Sequence, residues 1–389
     1  MSFNLKILMN LIKQNNSSVH VILFIFSFLI ILKPYLGIIG TIILYGSLIF
    51  LPIFFIPFLK TKLPLFFLII FLVFSLVISI DGATKFPDDF LLLFALLASS
   101  VLYFRFGYDF SSTNNVSDYC NSLFLGCLFS NLFIFIAFLG VFFGIVQLDT
   151  LYAPFPDKNP TLGLYRFTLG NAIEIPFLIN AFIIASLTRA RLKDNIIFFA
   201  LTLNLILAFI SQSRLIILMS FFTLLHVLSF RTVFYVFLFG FIALFLNEEV
   251  VDYVYAVSDS VVSRFYGEDY GSGNDRASLF QEVFNRMDGI KLLFGSGLAE
   301  SAEINLINEG KYRTVESALL QLIYELGIVG LGMYFLSLFY KVRIKIYLDF
   351  LSLAFFVLLV ELLFFLPIFS FYPFIMFSVG FYISNILKA

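Results

Sequence analysis

Residues 63–80 read LPLFFLIIFLVFSLVISI, a run without a single charged side chain that is bounded by Lys62 and Asp81. An α-helix rises about 1.5 Å per residue, so a run of this length nearly matches the ~30 Å of a lipid hydrocarbon core. Helices on the surface of a soluble domain are apolar on one face only. Residues 63–80 therefore predict a helix that crosses a membrane.

Comparable apolar runs recur along the whole chain, which is 61% hydrophobic and 13% charged with a mean hydropathy of +1.02. Soluble proteins are about 25% charged, and one soluble core could not bury so much apolar surface. The predicted fold class is all-α, a polytopic helical membrane protein. About twelve spans are predicted, at residues 19–32, 36–59, 63–80, 89–104, 120–146, 171–187, 195–211, 214–230, 232–247, 314–340, 347–366 and 371–387.

One long polar segment interrupts this pattern between Phe245 and Thr314. It divides the chain into spans one to nine (residues 1–247), a large loop (248–313) and spans ten to twelve (314–389). Within the loop, apolar residues recur at helical spacing from Asp275 to Phe294, and Gly295 follows as a stop signal. This pattern predicts an amphipathic helix that lies on the membrane surface or against the helix bundle.

Positive charge sets the predicted orientation of the spans. With the N-terminus inside, the short inner loops and ends hold thirteen Lys and Arg residues, whereas the short outer loops hold five. Cytoplasmic loops of bacterial membrane proteins carry such an excess. Both termini are therefore predicted on the cytoplasmic side and the large loop on the periplasmic side. No small-residue cleavage site follows the first apolar run, which predicts an uncleaved first span.

The chain contains few residues of the types that bind metals, nucleotides or nucleic acids. The chain has two histidines, His20 and His226, and two cysteines seven residues apart in one predicted span. Neither a zinc site nor a disulfide framework fits this set, so no metal and no cofactor are predicted. The net charge of −1 gives no general attraction for nucleic acid.

Four arginines and one carboxylate are predicted at the outer face. Arg166 precedes a span, Arg214 lies at a turn between spans, Arg276 and Arg286 lie on the loop helix, and Glu316 begins the next span. Guanidinium groups bind phosphate oxygens in permanently charged, bidentate contacts. A carboxylate can accept the proton of an attacking hydroxyl. The set predicts a site for a diphosphate ligand and an acceptor hydroxyl.

Simpler structural roles remain open for the same residues. Arg214 at a helix end can extend its charge to lipid headgroups, and Arg286 can pair with Glu282 four residues earlier. Glu316 in the first turn of a helix is favoured by the helix dipole alone. Arg166 fits an ordinary loop charge as well.

Three carboxylates fall inside predicted spans, namely Glu174, Glu325 and Glu361. An ionisable group there is costly and is by default a functional candidate. These residues keep open a transporter or a flippase for lipid-linked sugars, although the sequence lacks the internal repeat typical of secondary transporters. Glu316 and Glu325 lie nine residues apart, so both can face one cavity only if the helix is kinked.

The polar motifs resemble those of one family when they are taken in order. Gly273-Asn274-Asp275-Arg276, a helix and Leu293-Phe294-Gly295-Ser296-Gly297 resemble the periplasmic loop of the O-antigen polymerase (Wzy-type) and O-antigen ligase superfamily. Arg286 and Gly297 stand in the R-x10-G spacing of its polymerases. Arg166 to Asn171, the Ser213-Arg214 turn and Glu316 to Gly330 resemble further elements of the family. The resemblance covers roughly residues 160–340.

The resemblance implies a metal-independent glycosyltransferase in the bacterial inner membrane. It would transfer a growing glycan from undecaprenyl diphosphate to a sugar hydroxyl of the next undecaprenyl-diphosphate-linked repeat unit. Arg276 and Glu316 would be catalytic, and the diphosphate and glycan would contact Arg166, Glu174, Arg214, Arg286 and Gly297. Ligases of the superfamily typically carry His-Asn at the positions where this chain has Glu316-Ser317. A polymerase is therefore favoured over a ligase that transfers glycan to lipid A core. Whether a chain-length regulator protein binds stays open.

Overall fold

The computed structural model describes residues 63–110, 116–142, 145, 157–158, 165–166, 194–211, 214–228, 281, 283–301, 317–342, 349–360, 362–363 and 373–386. It also describes the helical residues 20–21, 24–25, 27–29, 39 and 42. Helices account for nearly all of these residues. The exception among the described elements is a pair of two-residue antiparallel strands, β1 (Asp157–Lys158) and β2 (Tyr165–Arg166).

Eight of the ten described helices coincide with predicted spans. The ten helices are α1 (Leu63–Ile78), α2 (Ile80–Lys85), α3 (Pro87–Phe110), α4 (Val116–Phe142), α5 (Asp194–Ser211), α6 (Arg214–Val227), α7 (Gly289–Phe294), α8 (Ala318–Phe339), α9 (Phe350–Val360) and α10 (Pro373–Ile386). All except α2 and α7 lie where the hydropathy pattern predicts a span. The predicted spans at 36–59, 171–187 and 232–247 lie almost wholly outside the described residues, so the count of twelve stays a prediction.

Within the described residues, two helices are long and apolar enough to cross a membrane, Pro87–Asp109 and Ala318–Phe339. The other apolar helices of the described part of the chain have 10–17 residues. Their outward surfaces are nevertheless apolar: on α1 the exposed side chains are Phe66, Ile69, Ile70, Val73, Leu76 and Val77. Ser75 of the same helix is fully buried. An apolar exterior around buried polar groups suits contact with lipid.

The directions of packed helices agree with a chain that crosses back and forth. α1 and α8 are antiparallel, because Phe67 packs on Tyr340 and Phe71 packs on Tyr334. α3 and α8 are parallel, because Ser100 hydrogen bonds to Tyr334 at 2.7 Å and Phe104 packs on Phe339 further along both helices.

The helix direction near the N-terminus also agrees with the predicted order of spans. His20 Nδ1 lies 2.9 Å from Ser122 Oγ, and Ser130 Oγ donates to the Phe28 carbonyl at 3.1 Å. The helical residues between 20 and 29 therefore run parallel to α4. The predicted order of spans also gives these two segments the same direction.

The predicted loop helix from 275 to 294 is interrupted within its described part. Residues 283–286 are helical, and α7 begins anew after Asp288. The Asp288 side chain accepts the Lys291 N–H at 2.8 Å and so caps α7. An aspartate in this role competes with continuation of the preceding helix. Gly295 ends α7 with φ 84°, as the sequence predicts.

Candidate functional site

α8 is broken at Gly327, inside a run that the sequence predicts as one continuous span. Gly327 has φ 65° and ψ −179°, a conformation that glycine adopts without the steric cost of a Cβ. A Cβ at this position would meet the backbone of Leu293 and Gly295. The helical hydrogen-bond ladder cannot pass the break, so carbonyl groups just before it need donors from elsewhere.

The end of the polar segment supplies these donors. The Ser296 N–H donates to the Tyr324 carbonyl oxygen at 2.9 Å. The Gly297 N–H donates to the Glu325 carbonyl oxygen, also at 2.9 Å. The carbonyl groups left free by the break are thus satisfied by backbone from a different part of the chain.

Two glycines allow this close approach. Gly295 and Gly297 have φ 84° and 106°, in the left-handed half of conformational space. A Cβ on Gly297 would lie 2.7 Å from the Ile78 carbonyl oxygen at the end of α1. The structure therefore gives Gly297, a predicted substrate-binding residue, a conformational role. Its contact with substrate stays a prediction.

The same turn is attached to the end of α1 and to α2. The Leu298 N–H donates to Ser79 Oγ at 2.7 Å. Glu300 is almost fully buried, and its Oε1 lies 3.6 Å from Lys85 Nζ. Because the Lys85 side chain is 51% exposed, solvent screens this ion pair and it adds little stability. The turn at 295–301 is thus held between α8 and the α1–α2 corner.

A buried polar group, the Glu325 cluster, lies beneath the turn. It consists of Ser301, Gln321 and Glu325. The Ser301 hydroxyl donates to Glu325 Oε1, and Gln321 Nε2 donates to the same oxygen at 3.1 Å and to Ser301 Oγ at 3.2 Å.

Glu325 is fully buried in this arrangement. Its second oxygen, Oε2, has no hydrogen-bond partner among the residues that the structure describes. Burial of a carboxyl group away from water is costly unless its oxygens are hydrogen bonded. The cluster therefore depends on the turn remaining in place, and in this conformation the carboxyl offers no atom to a substrate in solution.

The segment that carries Arg286 packs on the first half of α8. Val283 is fully buried against Leu320 and Tyr324, with Met287 at the edge of the contact. Arg286 is half-buried on this segment. The segment that carries this sequence-predicted arginine therefore packs on α8, the helix that begins two residues after Glu316 in the sequence.

The structure describes only part of the predicted site. Arg166 ends β2, where its backbone pairs with Asp157, and Arg214 is the first residue of α6. α6 packs mainly against α5 and α9, whereas Arg286 belongs to the group around α8. Arg276, Glu316 and Glu174 lie outside the described residues. The convergence of the arginines on one ligand stays a prediction.

The start of α8 differs from the predicted boundary at residue 314. Ser317 has an extended backbone, with φ −153° and ψ 109°, and its hydroxyl accepts the Leu320 N–H at 3.3 Å. It is therefore the N-cap, and the helix begins at Ala318. Glu316 precedes the cap in the sequence and lies outside the described residues.

Sequence reasoning identified Glu325 as a costly carboxyl but missed its partners Ser301 and Gln321. The available signals were the Gly295-Ser296-Gly297 run and the Glu325-Leu326-Gly327 run, since glycines at both places permit close contact between backbones.

Within the described ranges, no group of three His, Cys, Asp or Glu residues could hold a metal ion. No family, curated protein or solved structure matches this chain.

Proposed function

We propose that the chain is a surface-polysaccharide polymerase that resembles the O-antigen polymerase family. It transfers a growing glycan from undecaprenyl diphosphate to a sugar hydroxyl of an incoming undecaprenyl-diphosphate-linked repeat unit. The reaction takes place at the periplasmic face of the bacterial inner membrane. In this proposal the chain has about twelve spans, both termini are cytoplasmic, and residues 248–313 form the periplasmic loop.

The observation that carries the proposal is the docking of residues 283–301 on the first half of α8. Val283 packs on Leu320, and Gly297 donates to the Glu325 carbonyl at 2.9 Å. An arginine-bearing segment and the helix start next to Glu316 are thereby adjacent. In this proposal Arg286 and Glu316 act at one site, and a guanidinium with a carboxylate suits a reaction in which a diphosphate leaves and a hydroxyl attacks.

In the proposed reaction, the acceptor hydroxyl oxygen forms a bond to the anomeric carbon of the donor glycan. The bond between that carbon and the diphosphate oxygen breaks, and the diphosphate takes the electron pair. Arg166, Arg214 and Arg276 neutralise the charge that develops on this leaving group. Glu316 accepts the proton of the attacking hydroxyl, and Arg286 contributes a further diphosphate contact.

A second candidate, a transporter or flippase for lipid-linked sugars, is favoured by the buried Glu325 cluster. A carboxyl group in the middle of an apolar helix is a common element of proton- and ion-coupled transport. This function would require Glu325 to become accessible during a transport cycle. It would also leave the arginines of the polar segment without an assigned role.

The test is gel separation of surface polysaccharide from a deletion strain that carries wild type, Glu316→Gln or Arg276→Ala. We expect a ladder of long chains with wild type, and a single repeat unit on lipid A core in the deletion strain alone or with Glu316→Gln or Arg276→Ala. Asp89→Asn, which neutralises an exposed carboxylate at the start of α3, is the matched control and should restore the ladder.

Other band patterns would contradict the proposal. Bare core together with free polymer would identify a ligase, and bare core without outward-facing repeat units would identify a flippase. Normal ladders from both Glu316→Gln and Arg276→Ala, at equal protein level, would remove these residues from the reaction.

A further inference from the structure

We propose that Glu325 is a positioning residue that locks the end of the polar segment onto the broken helix α8 and thereby fixes the position of Arg286. The consequence of this locking for polymer synthesis rests on the function proposed above.

Glu325 contacts both ends of the turn at once. Its backbone carbonyl accepts the Gly297 N–H at 2.9 Å, and its carboxyl group accepts the hydroxyl of Ser301. Gln321, one helical turn earlier, donates to the same carboxyl oxygen and to Ser301 Oγ. A single residue of α8 therefore holds the first and last parts of the 297–301 turn.

Release of the turn would leave several buried groups without partners. The Tyr324 and Glu325 carbonyl oxygens would lose the donors that replace the interrupted helical ladder. The fully buried Glu325 carboxyl would lose Ser301 as well. Unpaired polar groups in apolar surroundings are costly, so the docked and released states are distinct rather than a continuum.

The position of Arg286 follows from the position of this turn. The chain from Arg286 to Gly295 is short, and most of it is the capped helix α7, with Asp288 as its N-cap. Val283 adds a second anchor against Leu320. A segment fixed at 295–301 and at Val283 cannot shift Arg286 far along α8. Because Glu325 is fully buried, its effect on a substrate passes through this segment.

Hydrogen exchange of the purified protein in lipid nanodiscs tests the locking directly. The readout is the exchange rate of the Ser296, Gly297 and Leu298 amides, which donate to α8 and Ser79. We expect Glu325→Ala and Ser301→Ala to raise this rate about tenfold or more, the effect of losing one or more buried hydrogen bonds. Asp89→Ala, which removes an exposed carboxylate elsewhere, is the control and should leave the rate unchanged.

Glu325→Gln separates positioning from a requirement for the carboxylate charge. The amide oxygen of glutamine can still accept from Ser301 and Gln321, so we expect near wild-type exchange and long polymer. Unchanged exchange in both Glu325→Ala and Ser301→Ala would overturn the locking. If Glu325→Ala cannot be recovered folded, Ser301→Ala decides, since it removes one hydroxyl only.

Polymer length in cells, measured for the same variants, tests the consequence. Faster exchange together with normal polymer would overturn the positioning role. Absence of polymer with the wild-type protein would instead refute the proposed function, and it would leave the exchange result intact.

Discussion

Gly297→Ala is predicted to release the end of the polar segment from α8. Gly297 has φ 106°, and residues with a Cβ lose about 1–2 kcal/mol in left-handed conformations. The new Cβ would also lie 2.7 Å from the Ile78 carbonyl oxygen and 3.1 Å from the Ser79 Cα. Both neighbours are backbone at the end of a packed helix, and overpacking of this kind costs about 1–3 kcal/mol. The sum is about 3 kcal/mol, or roughly a hundredfold increase in the released fraction.

Thiol labelling measures that fraction. Ser296 Oγ is buried, so Ser296→Cys, in a chain whose two native cysteines are replaced by alanine, should react with a maleimide only when the turn is released. We expect Gly297→Ala to increase the labelling rate about a hundredfold, the factor that corresponds to about 3 kcal/mol. Gly289→Ala is the matched control, because a Cβ on Gly289 has nothing within 4 Å.

Labelling at the control rate would refute the conformational role of Gly297. If Gly297→Ala labelled at the control rate and still abolished polymer, a direct contact with substrate would be the better explanation. The experiment thus separates two explanations for the same glycine in the R-x10-G spacing.

Two further predictions concern charge and packing. Arg286→Lys keeps the positive charge but loses the bidentate contact that a guanidinium makes with phosphate, so we expect polymer yield to fall about tenfold or more at unchanged protein level. A normal ladder would mean that the positive charge alone is sufficient for polymer synthesis. Gly380→Leu should prevent α10 from packing on α3 and abolish a monodisperse peak in size-exclusion chromatography, because a Cβ on Gly380 already overlaps the Phe104 carbonyl oxygen. Gly332→Leu, with nothing within 4 Å of its Cβ, is the control, and equal recovery of both variants would contradict the packing argument.

The positions of the helices could be predicted because apolar run length is a local property of the sequence. α5, for example, spans Asp194–Ser211, where the hydropathy pattern predicts 195–211. The break at Gly327 could not be predicted in the same way, because the surrounding residues read as one apolar helix. It is stabilised by the amides of Ser296 and Gly297, about 30 residues earlier in the chain, and such pairing over long sequence separation is invisible to a local pattern.

The interruption of the loop helix had a local signal that the periodicity concealed. Met287 and Ile290 continue the apolar spacing, but Asp288-Gly289 between them favours a new N-cap. In the candidate site too, local features could be predicted from the sequence and long-range contacts could not. Glu325 is detectable from sequence because a carboxyl inside a span is unusual, whereas its hydrogen-bond partners depend on the fold. The roles of Arg276 and Glu316 stay predictions.

The broken helix α8 has a consequence for the order in which the protein is made. At its break, α8 accepts hydrogen bonds from the amides of Ser296 and Gly297. Near its end, the Arg105 guanidinium donates to the Ser337 carbonyl at 3.2 Å and to the Tyr340 carbonyl. These donors, on Arg105, Ser296 and Gly297, precede α8 in the chain. A ribosome synthesises Arg105 and Ser296 before residue 318, so these hydrogen-bond donors are already part of the chain when α8 is made.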